Sequence, residues 1–214
     1  MIRAVIFDLD GTLADTEPLQ HEAYNRVLRS FGVEVDMEEY RRHWIAIEGG
    51  PEYACRTYRL PITPAELKAR KAVAYRSLID AGVQPMPGAR AAVERLRATH
   101  RVAIATNTVR EEVAIVLGQL GLAGRMHAAI AREDYTTAKP APDAYLAAAA
   151  ALGLAPRECV VVEDTQRGVR SGLAAGMAVV AVPSALTADN DFTGCARRLA
   201  SLDELTAALL GTLG

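Results

Sequence analysis

The chain has 214 residues, of which 50% are hydrophobic and 23% are charged, enough for one large folded domain or one domain with a substantial insertion. Lys and Arg total 24 against 26 Asp and Glu, and this net charge of −2 lacks the basic excess that nucleic-acid binding usually needs. The three cysteines are far apart and beside no histidine cluster, which argues against a disulfide framework and a zinc site.

The predicted strands are short, nearly continuous apolar runs, typical of strands buried on both faces of a parallel sheet. Helix-like segments alternate with the later runs, and this alternation predicts right-handed crossovers in a doubly wound α/β fold. The predicted strands cover residues 4–7, 102–105, 159–162 and 178–182, with a further short strand at 128–131, and the helices cover about 109–120, 141–152 and 166–175.

A long insertion interrupts this alternation after the first strand. The connection from Gly11 to His100 has 90 residues, whereas a whole βαβ unit needs only about 30. Helix signals inside it are Asp15, Thr16 and Pro18 at the start of one helix, Gly32 at its end, and Pro64 and Gly82 at the two ends of another. We therefore predict a helical cap domain at 15–86, inserted into a core formed by 1–14 and 87–214.

Two acids follow the first predicted strand. Asp8 and Asp10 lie at the carboxyl edge of the sheet, where open α/β sheets bind their ligands. A D-x-D pair alone is weak evidence, because Asp189 and Asp191 form a second copy in a polar loop. Acids after a buried strand are poorly solvated, so they need a metal or cations nearby. The alternative is that Asp8 and Asp10 only form part of a turn.

Three later segments supply partners for these acids. Thr106 and Asn107 follow the second strand, where a hydroxyl, an amide and backbone N–H groups suit a phosphate, or cap a helix. Lys139 precedes a proline-started helix and can hold phosphate oxygens, unless it is a solvated lysine. Glu163 and Asp164 offer carboxylates suited to Mg²⁺, or to a helix N-terminus.

In these motifs the chain resembles the haloacid dehalogenase superfamily over essentially its whole length. The matches are D-x-D-G-T at Asp8, the threonine at Thr106, K-P-x-P-D at Lys139 and E-D at Glu163, in the order of the family. The inserted segment resembles the helical cap of the β-phosphoglucomutase and phosphoglycolate-phosphatase-like branch. Glycines follow the last motif at 168, 172 and 176, and we expect them to let a helix approach the sheet closely.

The resemblance implies phosphoryl transfer. Asp8 would attack the phosphoryl group and form an aspartyl-phosphate, and Asp10 would give a proton to the leaving oxygen and then activate water. The second acid, Asp10, also argues against dehalogenation. The resemblance places Mg²⁺ on the Asp8 carboxylate, the Asp10 main-chain carbonyl and Asp164, with Glu163 in support, and it places phosphate on Thr106, Asn107 and Lys139.

Two residues of the insertion are candidates for substrate contact. Mutases of this branch carry a histidine where Gln20 stands and an arginine that 49–53 lacks, which weakens a mutase function. Adjacent His21 would face elsewhere, because one residue turns a helix by about 100°. Lys71 matches a cap lysine of the branch, and either reaches the substrate or covers apolar surface with its stem. It shares a predicted stripe with Leu67, Ala74, Leu78 and Ala81.

These observations predict a Mg²⁺-dependent phosphatase of a small phosphorylated metabolite. The alternatives are a sugar phosphomutase and, less favoured, a non-enzymatic phospho-accepting signalling module, which has its acceptor aspartate on a later strand and no cap. No stretch reaches the roughly 18 apolar residues of a membrane span, and the run ending at Asp8 is too short for a signal peptide. We expect a cytoplasmic monomer with no membrane or nucleic-acid partner.

Overall fold

The structure is a computed structural model that describes residues 1–45 and 49–213. The chain divides into two compact units. One, which we call the sheet unit, is formed by Met1–Asp15 and Val83–Gly214, and the other, the helical unit, by Thr16–Gly82. No helix within the described ranges has the length and apolar character that crossing a membrane requires.

The sheet unit contains a six-stranded parallel sheet with strands in the order β5-β4-β1-β6-β7-β8. The predicted doubly wound α/β fold is confirmed, because β1 at the centre is flanked by strands that come much later in the chain. The strands are β1 Ala4–Phe7, β2 Ala14–Asp15, β3 Gln84–Pro85, β4 Arg101–Ala105, β5 Ala128–Ile130, β6 Cys159–Glu163, β7 Ala178–Ala181 and β8 Arg197–Arg198. All side chains of β1 and β6 are buried, as the apolar runs at 4–7 and 159–162 predicted, and the burial extends to Glu163.

A small antiparallel pair shifts the limits of the two units from the predicted positions. In β2 and β3, Ala14 lies opposite Pro85 and Asp15 lies opposite Gln84. The chain enters the helical unit after β2 and leaves it before β3, and these two strands pair with each other. Asp15 and residues 83–86 therefore belong to the sheet unit, whereas the sequence prediction placed them in the insertion. The function of the helical unit as a cap stays a prediction.

The helices over the described residues have the following bounds. They are α1 Glu17–Leu28, α2 Met37–Tyr40, α3 Gly50–Thr57, α4 Pro64–Ala81, α5 Ala89–Arg97, α6 Arg110–Gln119, α7 Asp143–Leu152, α8 Gln166–Ala174 and α9 Ala207–Gly211, with a π-helical turn at Arg41–Ile45. The predicted helices of the sheet unit correspond to α6, α7 and α8. The sequence prediction did not include α5, although Ala89, Ala92, Val93 and Leu96 form its buried face.

The glycines around α8 share a spacing but not a function. A Cβ on Gly172 would lie 2.8 Å from Val179 Cγ2, so this glycine does allow the helix to approach the sheet, as expected. Gly176 instead follows the helix with a φ of 73°, a left-handed conformation that favours glycine. Gly168 approaches an acidic side chain, described below.

The helical unit has its own apolar core. Leu28 of α1 and Leu67 of α4 are fully buried in it, and Trp44 and Tyr40 are buried beside them. The helix α4 begins and ends where Pro64 and Gly82 predicted. The predicted capping of α1 is wrong in detail: Thr16 occupies the N-cap position, but its backbone is helical and its side chain makes no capping bond.

Candidate active site

The register of the sheet brings the predicted site residues to one edge. Phe7 at the end of β1 pairs with Ile104 of β4 on one side and with Val162 of β6 on the other. The residues that follow these three strands therefore emerge side by side. They include Asp8 and Asp10 after β1, Thr106 and Asn107 after β4, and Glu163 and Asp164 at the end of β6.

Lys139 reaches the same place from the segment before α7. Its ammonium is buried and donates to Asp8 Oδ1 at 2.5 Å and to Glu163 Oε1 at 2.8 Å. A third donation goes to the Tyr145 hydroxyl at 2.8 Å. The alternative of a solvated surface lysine is therefore wrong.

Glu163 is saturated with hydrogen bonds. Its Oε1 accepts from Lys139 and from the Tyr145 hydroxyl, and its Oε2 accepts from Asp164 N at 3.1 Å and from Thr165 N and Oγ1 at 3.2 and 3.0 Å. Burial alone would raise the pKa of Glu163, but the Lys139 charge and these bonds outweigh it, so the pKa lies below its usual value. Glu163 is an ionised carboxylate held in a fixed position.

The first turn of α8 passes directly over this carboxylate. A Cβ on Gly168 would lie 1.7 Å from Glu163 Oε1, so no larger residue fits while both stay in place. Thr165 provides the N-cap, because its Oγ1 accepts from Gly168 N at 3.1 Å. The capping role that the sequence left open for Glu163 and Asp164 therefore belongs to Thr165.

Negative charge exceeds positive charge at this edge. Burial raises the pKa of Asp8 to about 8, against the opposing effect of Lys139, and the charges of Glu163 and Asp10 add to the rise. Burial alone would lower the pKa of Lys139, but Asp8 and Glu163 hold it above its usual value. Four carboxylates, those of Asp8, Asp10, Glu163 and Asp164, thus lie at this edge, and the one ammonium contacts two of them, Asp8 and Glu163.

This acidic group fits a divalent cation. Ligand atoms of Asp8, Glu163 and Asp164 lie within 4.8 Å of one another, and all three residues are buried. Because both oxygens of Glu163 accept hydrogen bonds already, Asp8 and Asp164 are the carboxylates suited to direct coordination. Thr12 Oγ1 donates to Asp164 Oδ1 at 3.2 Å and a Cβ on Gly11 would lie 2.4 Å from Asp164 Oδ2, so the backbone after β1 approaches Asp164 closely.

Two threonines hold Asp10. Thr106 Oγ1 donates to Asp10 Oδ2 at 3.3 Å, and Thr108 Oγ1 donates to the same atom at 2.5 Å. Thr108 is not among the residues predicted from the sequence, although its position two residues after Thr106 in the same strand-end loop was a usable signal. Helix α6 has Val109 as its N-cap, so Thr106 and Asn107 lie in the loop and do not cap the helix.

The side chain of Asn107 is oriented by a residue that the sequence analysis missed. Its Oδ1 accepts from the Tyr135 hydroxyl at 2.7 Å and from Lys139 N at 3.2 Å. The Tyr135 hydroxyl also lies 2.8 Å from the carbonyl oxygen of Thr106. With Oδ1 engaged in this way, Asn107 presents its NH₂ group as a donor for an anion.

The two candidate substrate residues lie in the helical unit, Gln20 on α1 and Lys71 on α4. Lys71 Nζ lies 4.2 Å from the centre of the Tyr75 ring and 5.5 Å from that of Tyr24, within the range of cation–π attraction. His21 is engaged within this unit, because its Nε2 lies 2.7 Å from the carbonyl oxygen of Val35.

The predicted stripe around Lys71 is partly wrong. The buried residues of α4 are Leu67, Tyr75 and Ile79, whereas Ala74 and Leu78 are only partly buried and Ala81 is exposed. Lys71 therefore lies between two buried residues at a spacing of four, so its stem crosses the apolar face of the helix while its ammonium meets the aromatic rings.

Several known proteins are similar to this chain in sequence or in structure. A model described as haloacid dehalogenase-like hydrolase matches residues 2–176. Protein CbbY of Rhodobacter capsulatus is 35% identical over 213 residues, 94% of each chain. Fructose-1-phosphate phosphatase YqaB of Escherichia coli is 32% identical over 186 residues, 83% of this chain and 95% of that one. A crystal structure of a CbbY variant from Rhodobacter sphaeroides in complex with xylulose-(1,5)bisphosphate has a TM-score of 0.81 and 30% identity, covering 96% of both chains.

Proposed function

Because the chain belongs to the haloacid dehalogenase-like hydrolase family, we propose that it is a Mg²⁺-dependent phosphatase of a small phosphorylated metabolite. The observation that carries this proposal is the buried contact of Asp8 with Lys139 beside Asp164, at the edge of the sheet. A buried nucleophile, a cation and a second acid are the groups that phosphoryl transfer through a covalent intermediate requires.

In the proposed mechanism Asp8 is the nucleophile. A carboxylate oxygen of Asp8 attacks phosphorus, the bond between phosphorus and the substrate oxygen breaks, and Asp10 gives its proton to that leaving oxygen. Asp10 then takes a proton from water, which attacks the aspartyl-phosphate and releases phosphate and the Asp8 carboxylate. Thr108 holds the Asp10 side chain during both proton transfers.

Other residues of the site bind the phosphoryl oxygens in this mechanism. Lys139 shares with them the N–H that it donates to Asp8, and Asn107 donates with its NH₂ group. Thr106 donates with its hydroxyl, which contacts Asp10 before the substrate binds. Asp8, Asp164 and the main-chain carbonyl of Asp10 would hold Mg²⁺, with Glu163 fixing Lys139 nearby. The bound cation supplies positive charge against the transferring phosphoryl group.

For the substrate we propose a sugar phosphate with its phosphate on the C1 hydroxyl of a ketose. This class is supported by two relatives, the fructose-1-phosphate phosphatase and the CbbY variant crystallised with xylulose-(1,5)bisphosphate. Both sugars are ketoses that carry a phosphate on the primary carbon beside the keto carbon, so one binding arrangement can accept either.

A substrate panel tests the proposal. Phosphate release would be measured with Mg²⁺ and with EDTA on ketose 1-phosphates, glucose 1-phosphate, phosphoglycolate, nucleotides and 4-nitrophenyl phosphate, using Asp8→Asn as the control. We expect metal-dependent release, abolished in the variant, with the highest kcat/KM for a ketose 1-phosphate. Conversion of β-glucose 1-phosphate to glucose 6-phosphate without net release would instead favour the mutase alternative. Phosphate release that does not depend on a metal would contradict the proposed Mg²⁺ cofactor.

A further inference from the structure

Tyr145 combines a ring buried in an apolar cluster with a hydroxyl that contacts charged groups. Tyr145 lies in the first turn of α7 and is fully buried in a cluster that includes Ile6 and Val161. A phenylalanine ring would fill the same volume, so packing alone does not require a hydroxyl here. The hydroxyl lies 2.8 Å from Lys139 Nζ and 2.8 Å from Glu163 Oε1, so its contribution lies in these two contacts.

The three N–H donors of Lys139 have three acceptors, Asp8, Glu163 and Tyr145. With two acceptors alone, Nζ could still swing about the line that joins the two acceptor atoms. A third acceptor removes this motion and fixes the ammonium. The third acceptor is neutral, so it adds direction without adding negative charge. Burial and the nearby Glu163 raise the pKa of Tyr145 well above its usual value, so the hydroxyl keeps the proton that it donates to Glu163.

We propose that Tyr145 is a positioning residue that fixes the Lys139 ammonium against Asp8. The positional part of this proposal rests on the geometry alone, and its catalytic consequence rests on the proposed function. Directed donors contribute most where charge spreads over the phosphoryl oxygens in the transition state. Loss of the hydroxyl therefore lowers kcat more than it raises KM.

The lysine content of the chain permits a direct test of position. The sequence has only three lysines, Lys68, Lys71 and Lys139. In protein labelled with ¹⁵N at lysine Nζ, we expect Lys139 to give an ammonium signal that exchanges slowly with water and disappears in Lys139→Arg. In Tyr145→Phe this exchange should become about tenfold faster, the equivalent of one lost hydrogen bond to a charged group, with the Lys68 signal unchanged. Unchanged exchange of Lys139 would overturn the proposal.

Kinetics test the catalytic consequence. We expect Tyr145→Phe to lower kcat for 4-nitrophenyl phosphate about tenfold while KM stays within about twofold. The matched control is Ser171→Ala, which removes another buried hydroxyl, one that donates to the carbonyl oxygen of Ala141 at 2.6 Å in the same segment as Lys139. Ser171→Ala should lower Tm and leave kcat unchanged. A kcat in Tyr145→Phe equal to that of the control would overturn the catalytic part.

A double variant separates positioning from general destabilisation. If Tyr145 acts through Lys139, adding Tyr145→Phe to Lys139→Ala should cost no further activity, whereas additive losses would contradict the proposal. Failure of the proposed function would look different. Wild-type protein that released no phosphate from any ester would overturn the phosphatase, and the exchange of Lys139 would still decide where the ammonium is held.

Discussion

At the residue scale, the Asp8 carboxyl is costly to the fold. Its pKa of about 8 in the folded chain lies above the value of 3.8 that an exposed aspartate has. A raised carboxyl pKa contributes stability below pH 4, and this contribution is lost as the pH rises towards 8, because the unfolded chain gives up the proton first. Metal binding reverses this cost, since coordination favours the ionised carboxylate.

We therefore predict that Asp8→Asn stabilises the metal-free protein while lowering kcat more than about a thousandfold. The Tm of Asp8→Asn should exceed that of wild type by several degrees at pH 8, at about 2 to 4 °C per kcal/mol for a chain of this size, and by less at pH 5. Mg²⁺ should raise the wild-type Tm more at pH 8 than at pH 5. Thermal melts with EDTA and with Mg²⁺ check both statements, and a Tm difference that does not change with pH would contradict them.

Substitution of Tyr135 and of Tyr145 should change different kinetic constants, KM in the first case and kcat in the second. Tyr135 orients the amide of Asn107, a proposed phosphate donor, whereas Tyr145 contacts Lys139. Tyr135→Phe should raise KM, and the inhibition constant for inorganic phosphate, about three- to tenfold with a smaller change in kcat, because one neutral hydrogen bond is lost. Steady-state kinetics with phosphate as inhibitor measure this. An unchanged inhibition constant would show that Asn107 keeps its orientation without Tyr135.

At the element scale, α8 meets the rest of the sheet unit in two different ways. Near its start Gly168 faces the Glu163 carboxylate, and one turn later Gly172 faces Val179 and Val161. Gly168→Ala should lower kcat about a hundredfold, because either the helix or Glu163 must move by a distance that misplaces Lys139. Gly172→Ala should instead cost about 1 to 3 kcal/mol of stability with kcat retained. Measurements of kcat and of unfolding by urea on both variants check this, and equal effects on kcat would contradict it.

The strands and helices of the sheet unit differ in how well the sequence predicts them. Buried parallel strands were predictable because β1 is apolar throughout and β6 is apolar up to Glu163. The edge strand β8 consists of two exposed arginines, so no apolar pattern marks it. The contact of Tyr145 was not predictable because an aromatic residue in the alanine-rich α7 indicates only a core position. The fold is needed to bring its hydroxyl to Glu163. Motif residues were identified by their positions after predicted strands and by their resemblance to a known family. Their hydrogen-bond partners depend on the paths of loops, which the sequence does not specify.

At the scale of the whole molecule, the antiparallel pairing of β2 with β3 resembles the base of a hairpin. A short glycine-containing turn can close such a pair. We predict that a variant with Thr16–Gly82 replaced by this turn folds cooperatively and keeps metal-dependent hydrolysis of 4-nitrophenyl phosphate, but loses discrimination among sugar phosphates. Circular dichroism melts and ratios of kcat/KM measure both properties. Retained discrimination would place specificity in the sheet unit instead.

The scarcity and placement of lysine also bear on chemical handling of the protein. Lys139 is 4% exposed and its N–H groups are engaged, whereas the side chain of Lys68 is 56% exposed. Acylating reagents need an accessible, deprotonated amine, so they should modify Lys68 well before Lys139. The protein can therefore be attached to a surface or a dye through Lys68 with the Lys139 ammonium left intact.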